Sequence, residues 1–143
     1  MSPALSASPA ASRASSRAPN RLRVVVIDDE PDAVLMLLTL LRDEGYEAEG
    51  FASGKAALDS LRAYDPDVVI SDVAMPTVNG WDIAREVRRI MGESRPTLIG
   101  ISGHYVRTAD KILAELAGFN YYLTKPYDPK VLMALLAPLA SGK

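Results

Sequence analysis

The residues Val68–Trp81, VVISDVAMPTVNGW, decide the fold of this chain. Three apolar residues run into Ser71 and Asp72, and a loop that contains Pro76 and Gly80 follows. An apolar run this short, ended by turn residues, predicts a strand that is buried on both faces. Asp72 then lies at the carboxyl end of that strand, the edge where open α/β sheets bind ligands. A carboxylate there can be a metal ligand, a nucleophile or a structural cap, and Asp72 alone does not decide among them.

The composition is that of a single folded domain. A chain of 143 residues can bury one core, and its 48% apolar and 24% charged residues are ordinary for a globular protein. The absence of cysteine excludes disulfides and thiolate metal sites. No apolar run approaches the roughly 18 residues that a transmembrane helix needs, so we predict no such helix.

Charge is distributed unevenly along the chain. Residues 1–23 carry four arginines and no acidic residue, which leaves residues 24–143 with 12 of the 16 basic residues and all 18 acidic ones. This acidic balance argues against nucleic-acid binding by the folded part. Residues 1–20 are mostly Ala, Ser and Pro without periodicity, which predicts a disordered tail before a domain at residues 21–141. The alternatives are a targeting peptide or a weak contact with an anionic partner, although the tail lacks the apolar stretch of a secretory signal.

Hydrophobic periodicity predicts five strands that alternate with five helices. Pro31 and Ser53 mark helix starts, and Gly45 and Gly118 mark helix ends. Alternation with short connections predicts a parallel sheet with helices on both faces and right-handed crossovers. The second strand is mixed in polarity, which favours a position at the sheet edge. The predicted strands are residues 22–27, 47–51, 68–71, 97–101 and 120–123, and the predicted helices are 31–44, 54–63, 80–91, 107–117 and 128–140.

Polar side chains follow four of these strands, which we expect to be inner or near-inner. They are Asp28 and Asp29, then Asp72, then Ser102, then Lys125. Because the carboxyl ends of parallel strands meet at one edge, we expect them to share one cleft. Three close carboxylates require a cation, and oxygen ligands without His or Cys favour Mg²⁺ or Mn²⁺. Each residue taken singly could be a helix cap, a turn residue or a solvated side chain, but the joint placement favours a site.

Four segments resemble the signature segments of the receiver domain of two-component response regulators. They are VVVIDDEP, VVISDVAMPTVNGW, LIGISG and YYLTKPY, and the resemblance covers roughly residues 21–141. It implies an α/β fold, a flavodoxin-like (βα)₅ doubly wound parallel five-stranded sheet with strand order 2-1-3-4-5. Ala74, Gly103 and His104 are mild departures, and the positions of Ala74 and His104 bear on the dephosphorylation rate rather than on phosphorylation.

The resemblance also implies the roles of the acidic residues. Asp72 is the expected phosphoacceptor. Asp29 and Asp72 are expected to bind Mg²⁺ directly, together with the backbone carbonyl of Ala74, while Asp28 acts largely through metal-bound water.

On the other side of the expected cleft, the resemblance makes Ser102, Gly103 and Lys125 the phosphate-binding residues. Ser102 and Tyr122 take the places of the switch hydroxyl and the switch aromatic residue. The Lys125–Pro126 peptide bond is expected to be cis.

The function that the resemblance implies is that of a cytoplasmic phosphorelay domain. It is expected to accept a phosphoryl group from a histidine kinase or phosphotransfer protein and to switch a surface formed by the fourth helix, fifth strand and fifth helix. A downstream protein reads that surface. We expect the domain to catalyse only its own phosphorylation and dephosphorylation, without acting as an enzyme on an external substrate, and to bind neither nucleic acid nor membrane.

Three other classes of protein share parts of this pattern. A pseudo-receiver would act as an interaction module and never accept phosphate, which the intact set of acidic residues and Lys125 argue against. A flavodoxin-like cofactor binder would need a phosphate-cradling loop after the first strand, where this chain has DDEPDA. A hydrolase with an aspartyl nucleophile would need a cap domain, for which the chain has no length.

Overall fold

A computed structural model describes residues 21–73, 80–103 and 108–141. Strands and helices alternate through these residues, with bounds that lie within about two residues of those predicted. The strands are β1 Arg23–Ile27, β2 Glu47–Phe51, β3 Val68–Asp72, β4 Thr97–Ser102 and β5 Tyr121–Thr124. The helices are α1 Pro31–Asp43, α2 Gly54–Tyr64, α3 Gly80–Met91, α4 Thr108–Ala117 and α5 Pro129–Ser141. The predicted tail, residues 1–20, lies outside the described residues.

The strands form one parallel sheet in the order β2-β1-β3-β4-β5. This order confirms the predicted fold class, and the mixed-polarity strand β2 lies at an edge as predicted. Strand β5 is the opposite edge strand rather than an inner one, and its side chains are only half buried or exposed. Among the described residues, no helix has both the length and the apolar character needed to cross a bilayer.

The core has two layers because successive side chains of a strand point to opposite faces of the sheet. In β1, Val24 and Val26 pack on the face covered by α1 and α5, whereas Val25 and Ile27 pack on the face covered by α2, α3 and α4. All five residues of β1 and of β3 are buried. Burial on both faces explains why these two strands are continuous apolar runs up to the edge that carries the acidic residues.

The helix boundaries follow local chemistry. Pro31 occupies the first turn of α1, where its missing N–H leaves no hydrogen bond unmade. Ser53 caps α2 by accepting a hydrogen bond from the Ala56 N–H at 3.3 Å. Gly45 follows α1 with a φ of +91°, the left-handed conformation that ends many helices. Helix α1 therefore begins directly after the acidic residues that follow β1.

Candidate functional site

Three carboxylates meet at the carboxyl edge of the sheet. Ile27 pairs with Ser71 in the β1–β3 register, so Asp28 and Asp72, the residues that follow, are neighbours across the two strands. One carboxylate oxygen from each of Asp28, Asp29 and Asp72 lies within 4.8 Å of the others. Asp28 and Asp72 are buried, while Asp29 is half buried. The structure thus brings together the three acidic residues that the strand ends placed at one edge.

Asp28 has a structural contact as well as a place in this acidic cluster. Its Oδ1 accepts a hydrogen bond from the backbone N–H of Glu30 at 3.0 Å, which orders the turn into α1. Its Oδ2 faces the ammonium of Lys125. Asp28 therefore orders the turn before α1 through Oδ1 without capping the helix itself, while its Oδ2 contacts Lys125, and its role in the site stays a prediction.

Lys125 supplies the positive charge of the site. Its Nζ lies 3.4 Å from Asp28 Oδ2 and 3.5 Å from Asp72 Oδ2, so one ammonium is shared by two carboxylates. Burial alone would lower the pKa of the Lys125 ammonium, but the charges of Asp72 and Asp28 outweigh that effect and raise its pKa above the ordinary value. Lys125 is therefore a permanent cation at neutral pH.

The residues beside Lys125 hold it at the end of β4. The backbone N–H of Lys125 donates to the carbonyl oxygen of Ser102 at 2.6 Å, and Ser102 is buried. A Cβ atom added to Gly103 would meet Lys125 Cδ at 3.9 Å, an ordinary contact distance, so an alanine fits there. The Lys125–Pro126 peptide bond is cis, as the resemblance implied. Arg95–Pro96 is a second cis bond that the sequence analysis did not single out.

A cavity of about 620 Å³ opens beside the acidic cluster, between α1 and the loop that leads into α5. Its polar end is formed by Asp28, Asp72 and Lys125, and apolar side chains form much of the remaining wall. Tyr127 also lines it, and burial raises the pKa of the Tyr127 hydroxyl, with Lys125 opposing and Asp28 reinforcing the shift. Sequence reasoning missed this cavity because it arises from the spacing between α1 and the loop before α5, which no local pattern encodes.

Tyr122 lies in an aromatic cluster, half buried, on the sheet face covered by α2, α3 and α4. Its ring stacks on Trp81 with centroids 6.1 Å apart and meets Phe119 edge-on at 6.4 Å. Phe119 covers Gly100, where a Cβ atom would approach that ring to 3.2 Å. The structure therefore shows a packing role for Tyr122, and its switch role stays a prediction. Ala74 and His104 lie outside the described residues.

The Lys125 ammonium should make the free energy of unfolding depend on pH in the alkaline range. Because the pKa of Lys125 is raised on folding, its contribution to stability is fully present below about pH 10.5 and is lost as the pH rises through the folded-state pKa. We therefore expect wild type to lose more stability than Lys125→Met between about pH 10 and about pH 12. Chemical denaturation at stepped pH measures this difference.

The matched control for that experiment is Lys55→Met, because Lys55 is exposed and pairs with the exposed Asp59. This control should keep the alkaline slope of wild type, since exposed ion pairs contribute little. Identical alkaline slopes in wild type and Lys125→Met would contradict the charge assignment at the site.

Comparison with known proteins places the chain in a family. The family model described as the response regulator receiver domain matches residues 24–137. An uncharacterized 14.6 kDa protein of Leptolyngbya boryana is 37% identical over 117 residues, covering 81% of this chain and 88% of that protein. The DNA-binding response regulator MtrA of Mycolicibacterium smegmatis is 34% identical over 114 residues, which cover 80% of this chain and 48% of MtrA. The chain therefore spans about half the length of that relative.

Solved structures give the same result for the fold. The chemotaxis protein CheY4 of Vibrio cholerae superposes with a TM-score of 0.76 at 28% identity, over 82% of this chain and 98% of that chain. A response regulator from Chloroflexus aurantiacus gives a TM-score of 0.74 at 28% identity, over 85% and 98% of the two chains. Receiver domains are signalling domains rather than classical enzymes, and they bind Mg²⁺ at an acidic cluster. From its fold, its acidic edge and its family match, this chain belongs to the response regulator receiver domains of two-component systems.

Proposed function

We propose that the domain accepts a phosphoryl group on Asp72 from the phosphohistidine of a histidine kinase or phosphotransfer protein. The observation that supports this most strongly is the geometry at the sheet edge. Asp72 lies beside two further carboxylates, and the Lys125 ammonium is 3.5 Å from Asp72 Oδ2. A nucleophilic carboxylate, a cluster of oxygen ligands and a fixed cation are the parts that phosphoryl transfer to aspartate requires.

The acidic cluster fits the demands of Mg²⁺. This ion binds oxygen at about 2.0–2.1 Å, so two oxygens on one ion lie up to roughly 4.2 Å apart, and one oxygen from each of the three carboxylates lies within 4.8 Å of the others. Asp29 and Asp72 would hold the ion directly with the Ala74 carbonyl, and Asp28 would act through a bound water. When bound, the ion neutralises negative charge on the phosphoryl oxygens.

The proposed reaction transfers the phosphoryl group between two nucleophiles. A carboxylate oxygen of Asp72 attacks phosphorus, the P–N bond to the histidine breaks, and the released imidazole takes up a proton. Lys125 neutralises one phosphoryl oxygen, and the Ser102 hydroxyl donates a hydrogen bond to another. Water later hydrolyses the acyl phosphate, which restores the Asp72 carboxylate and releases inorganic phosphate.

The surface proposed to bind the downstream protein includes helix α4 and strand β5. Helix α4 exposes the apolar residues Ile112, Leu113 and Leu116, with Leu116 78% exposed, and Tyr121 of β5 lies partly exposed beside this helix. An exposed apolar patch of this kind is typical of protein interaction sites. We propose that phosphorylation shifts an equilibrium between two arrangements of the α4–β5–α5 surface and that a downstream protein binds one of them.

The experiment that tests phosphorylation uses a small phosphodonor. Incubation with acetyl phosphate and Mg²⁺ should add one phosphoryl group to the intact protein, as measured by mass spectrometry. A chelator should prevent the addition. A pseudo-receiver, which binds partners without phosphate, would show no added mass under either condition, and that outcome would overturn the proposal.

A second prediction concerns the switch hydroxyl. We expect Ser102→Ala to be phosphorylated at Asp72 like the wild type, because the nucleophile, Lys125 and the acidic cluster are intact. The variant should show less than about half of the wild-type chemical-shift response to beryllofluoride along residues 107–127, since the hydroxyl that would couple phosphate to β4 is gone. NMR spectra with and without this phosphate mimic measure the response. A full response in the variant would show that Ser102 does not carry the coupling.

A further inference from the structure

Arg88, in the last turn of α3, is a buried cation that contacts several elements at once. It is 8% exposed, and its guanidinium makes five hydrogen bonds within the described residues. Two go to the carbonyl of Gly118 at 3.2 and 2.9 Å, and one each goes to the carbonyls of Pro96 at 2.8 Å and Gly92 at 3.4 Å. The fifth goes to Asn120 Oδ1 at 2.9 Å. These five bonds depend on the planar guanidinium fork of arginine, whose N–H donors point in several fixed directions, unlike the single ammonium of lysine.

Carbonyls at two helix ends provide much of the compensation for this buried charge. Gly92 follows the end of α3 and Gly118 follows the end of α4. The carbonyls at a helix carboxyl terminus lack helical partners and carry partial negative charge, so they stabilise a cation. Arg88 therefore joins the carboxyl ends of α3 and α4 to each other.

Asn120 extends this connection to the sheet. Its Oδ1 accepts hydrogen bonds from Arg88 and from the Leu98 N–H at 2.8 Å, and its own N–H donates to the Leu98 carbonyl at 2.8 Å. Gly118 has a φ of +124°, and a Cβ atom there would lie 2.8 Å from Arg88 Cγ, so the close approach requires glycine. We call Arg88, Pro96, Gly118 and Asn120 the Arg88 clamp.

The clamp lies at the opposite edge of the sheet from the acidic cluster. Strands β4 and β5 begin beside it and end at Ser102 and Thr124, next to the site. Helix α4 runs the other way, because it follows the loop after Ser102 and ends at Ala117 beside the clamp. One end of α4 is thus connected to the phosphoacceptor edge, while the other end is held by Arg88.

We propose that Arg88 is a positioning residue for the phosphorylation switch, acting as the fixed pivot of α4. Phosphorylation of Asp72 then displaces the amino end of α4, while the end at Gly118 stays in place. This inference rests on the proposed function, because it assigns the pivot of the proposed switch. A purely structural Arg88 would stabilise the fold without shaping how displacement is distributed along α4.

The first arm of the test needs no phosphorylation. The N–H groups of Gly118 and Phe119 donate to the Ala114 carbonyl at 3.2 and 3.0 Å, so their hydrogen exchange reports on the held end of α4. Arg88→Lys keeps the charge and loses the fork, and it should accelerate exchange of these two amides at least 10-fold. Arg89→Lys is the matched control, because Arg89 is exposed on the same turn and pairs with Glu86. If these two amides exchange at the wild-type rate in Arg88→Lys, the Arg88 clamp does not hold the end of α4.

The second arm measures the switch itself. In wild type, beryllofluoride should shift the backbone amides of residues 108–112 at least threefold more than those of residues 113–118. In Arg88→Lys this ratio should fall towards one, while the extent of phosphorylation by acetyl phosphate and Mg²⁺ stays unchanged, and Arg89→Lys should behave like wild type. If this ratio stays at least threefold in Arg88→Lys, or does not reach threefold in wild type, the proposal that Arg88 is the pivot of α4 is wrong. A wild-type protein that also takes up no phosphoryl group would overturn the proposed function, and the exchange arm would still decide whether the clamp exists.

A second pair of variants keeps the test decisive if Arg88→Lys does not fold. Asn120→Ala removes one acceptor of the Arg88 clamp and should lower the ratio of chemical-shift changes between residues 108–112 and 113–118. Asn120→Asp keeps an oxygen in place and should restore the wild-type ratio. The same ratio in Asn120→Ala as in wild type would contradict the role assigned to the Arg88 clamp.

Discussion

Asp72→Asn is expected to reduce Mg²⁺-dependent phosphorylation to below about one hundredth of the wild-type level, because an amide oxygen does not replace the carboxylate nucleophile. The fold should survive, since the substitution is nearly isosteric and removes one of three neighbouring negative charges. Mass spectrometry after incubation with acetyl phosphate measures the loss, and a circular dichroism melt confirms the fold.

The control for this variant is Asp59→Asn, which changes an exposed aspartate in α2 that is not part of the acidic cluster. It should be phosphorylated as well as wild type. Undiminished phosphorylation of a folded Asp72→Asn protein would show that another residue accepts the phosphoryl group.

Magnesium is expected to stabilise the protein against heat. An ion that binds the folded cluster and not the unfolded chain adds about 2.7 kcal/mol at a concentration 100-fold above its Kd, which corresponds to a rise in Tm on the order of 10 °C. Asp29→Asn should lose most of that rise, because it removes one of the two carboxylates proposed to bind the ion directly. Without metal, this variant should be at least as stable as wild type, since repulsion within the acidic cluster is relieved.

Differential scanning calorimetry with a magnesium titration makes this comparison, and Asp59→Asn serves again as the charge-matched control. That control should show the full rise in Tm. If Mg²⁺ raised the Tm of Asp29→Asn by as much as that of wild type, Asp29 would not be a ligand.

The sequence predicted the central strands and the acidic edge because both follow from local rules. Strands β1 and β3 are buried on both faces and therefore contain uninterrupted apolar runs, residues 24–27 and 68–70. The parallel arrangement then forces their carboxyl ends together, so Asp28 and Asp72 could be placed side by side before any coordinates were known. The edge position of β2 could also be predicted, since this strand is mixed in polarity.

Features that depend on residues far apart in the sequence could not be predicted from local patterns. Arg88 and the adjacent Arg89 are the same residue type, but Arg88 is buried against Gly118 and Asn120, which lie 30 and 32 residues further along the chain, whereas Arg89 is exposed. The cavity beside the acidic cluster likewise depends on how far α1 stands from the loop before α5. The packing of Tyr122 against Trp81 required the same long-range information.

The most direct test of the central claim, that Asp72 accepts the phosphoryl group, is chemical trapping of the acyl phosphate. Borohydride reduces an aspartyl phosphate to homoserine, and peptide mass spectrometry then locates the modified residue. After treatment of the wild-type protein with acetyl phosphate and Mg²⁺, we predict homoserine at position 72 and unmodified aspartate at positions 28 and 29. Homoserine at either of those positions, or at none of the three, would contradict the account.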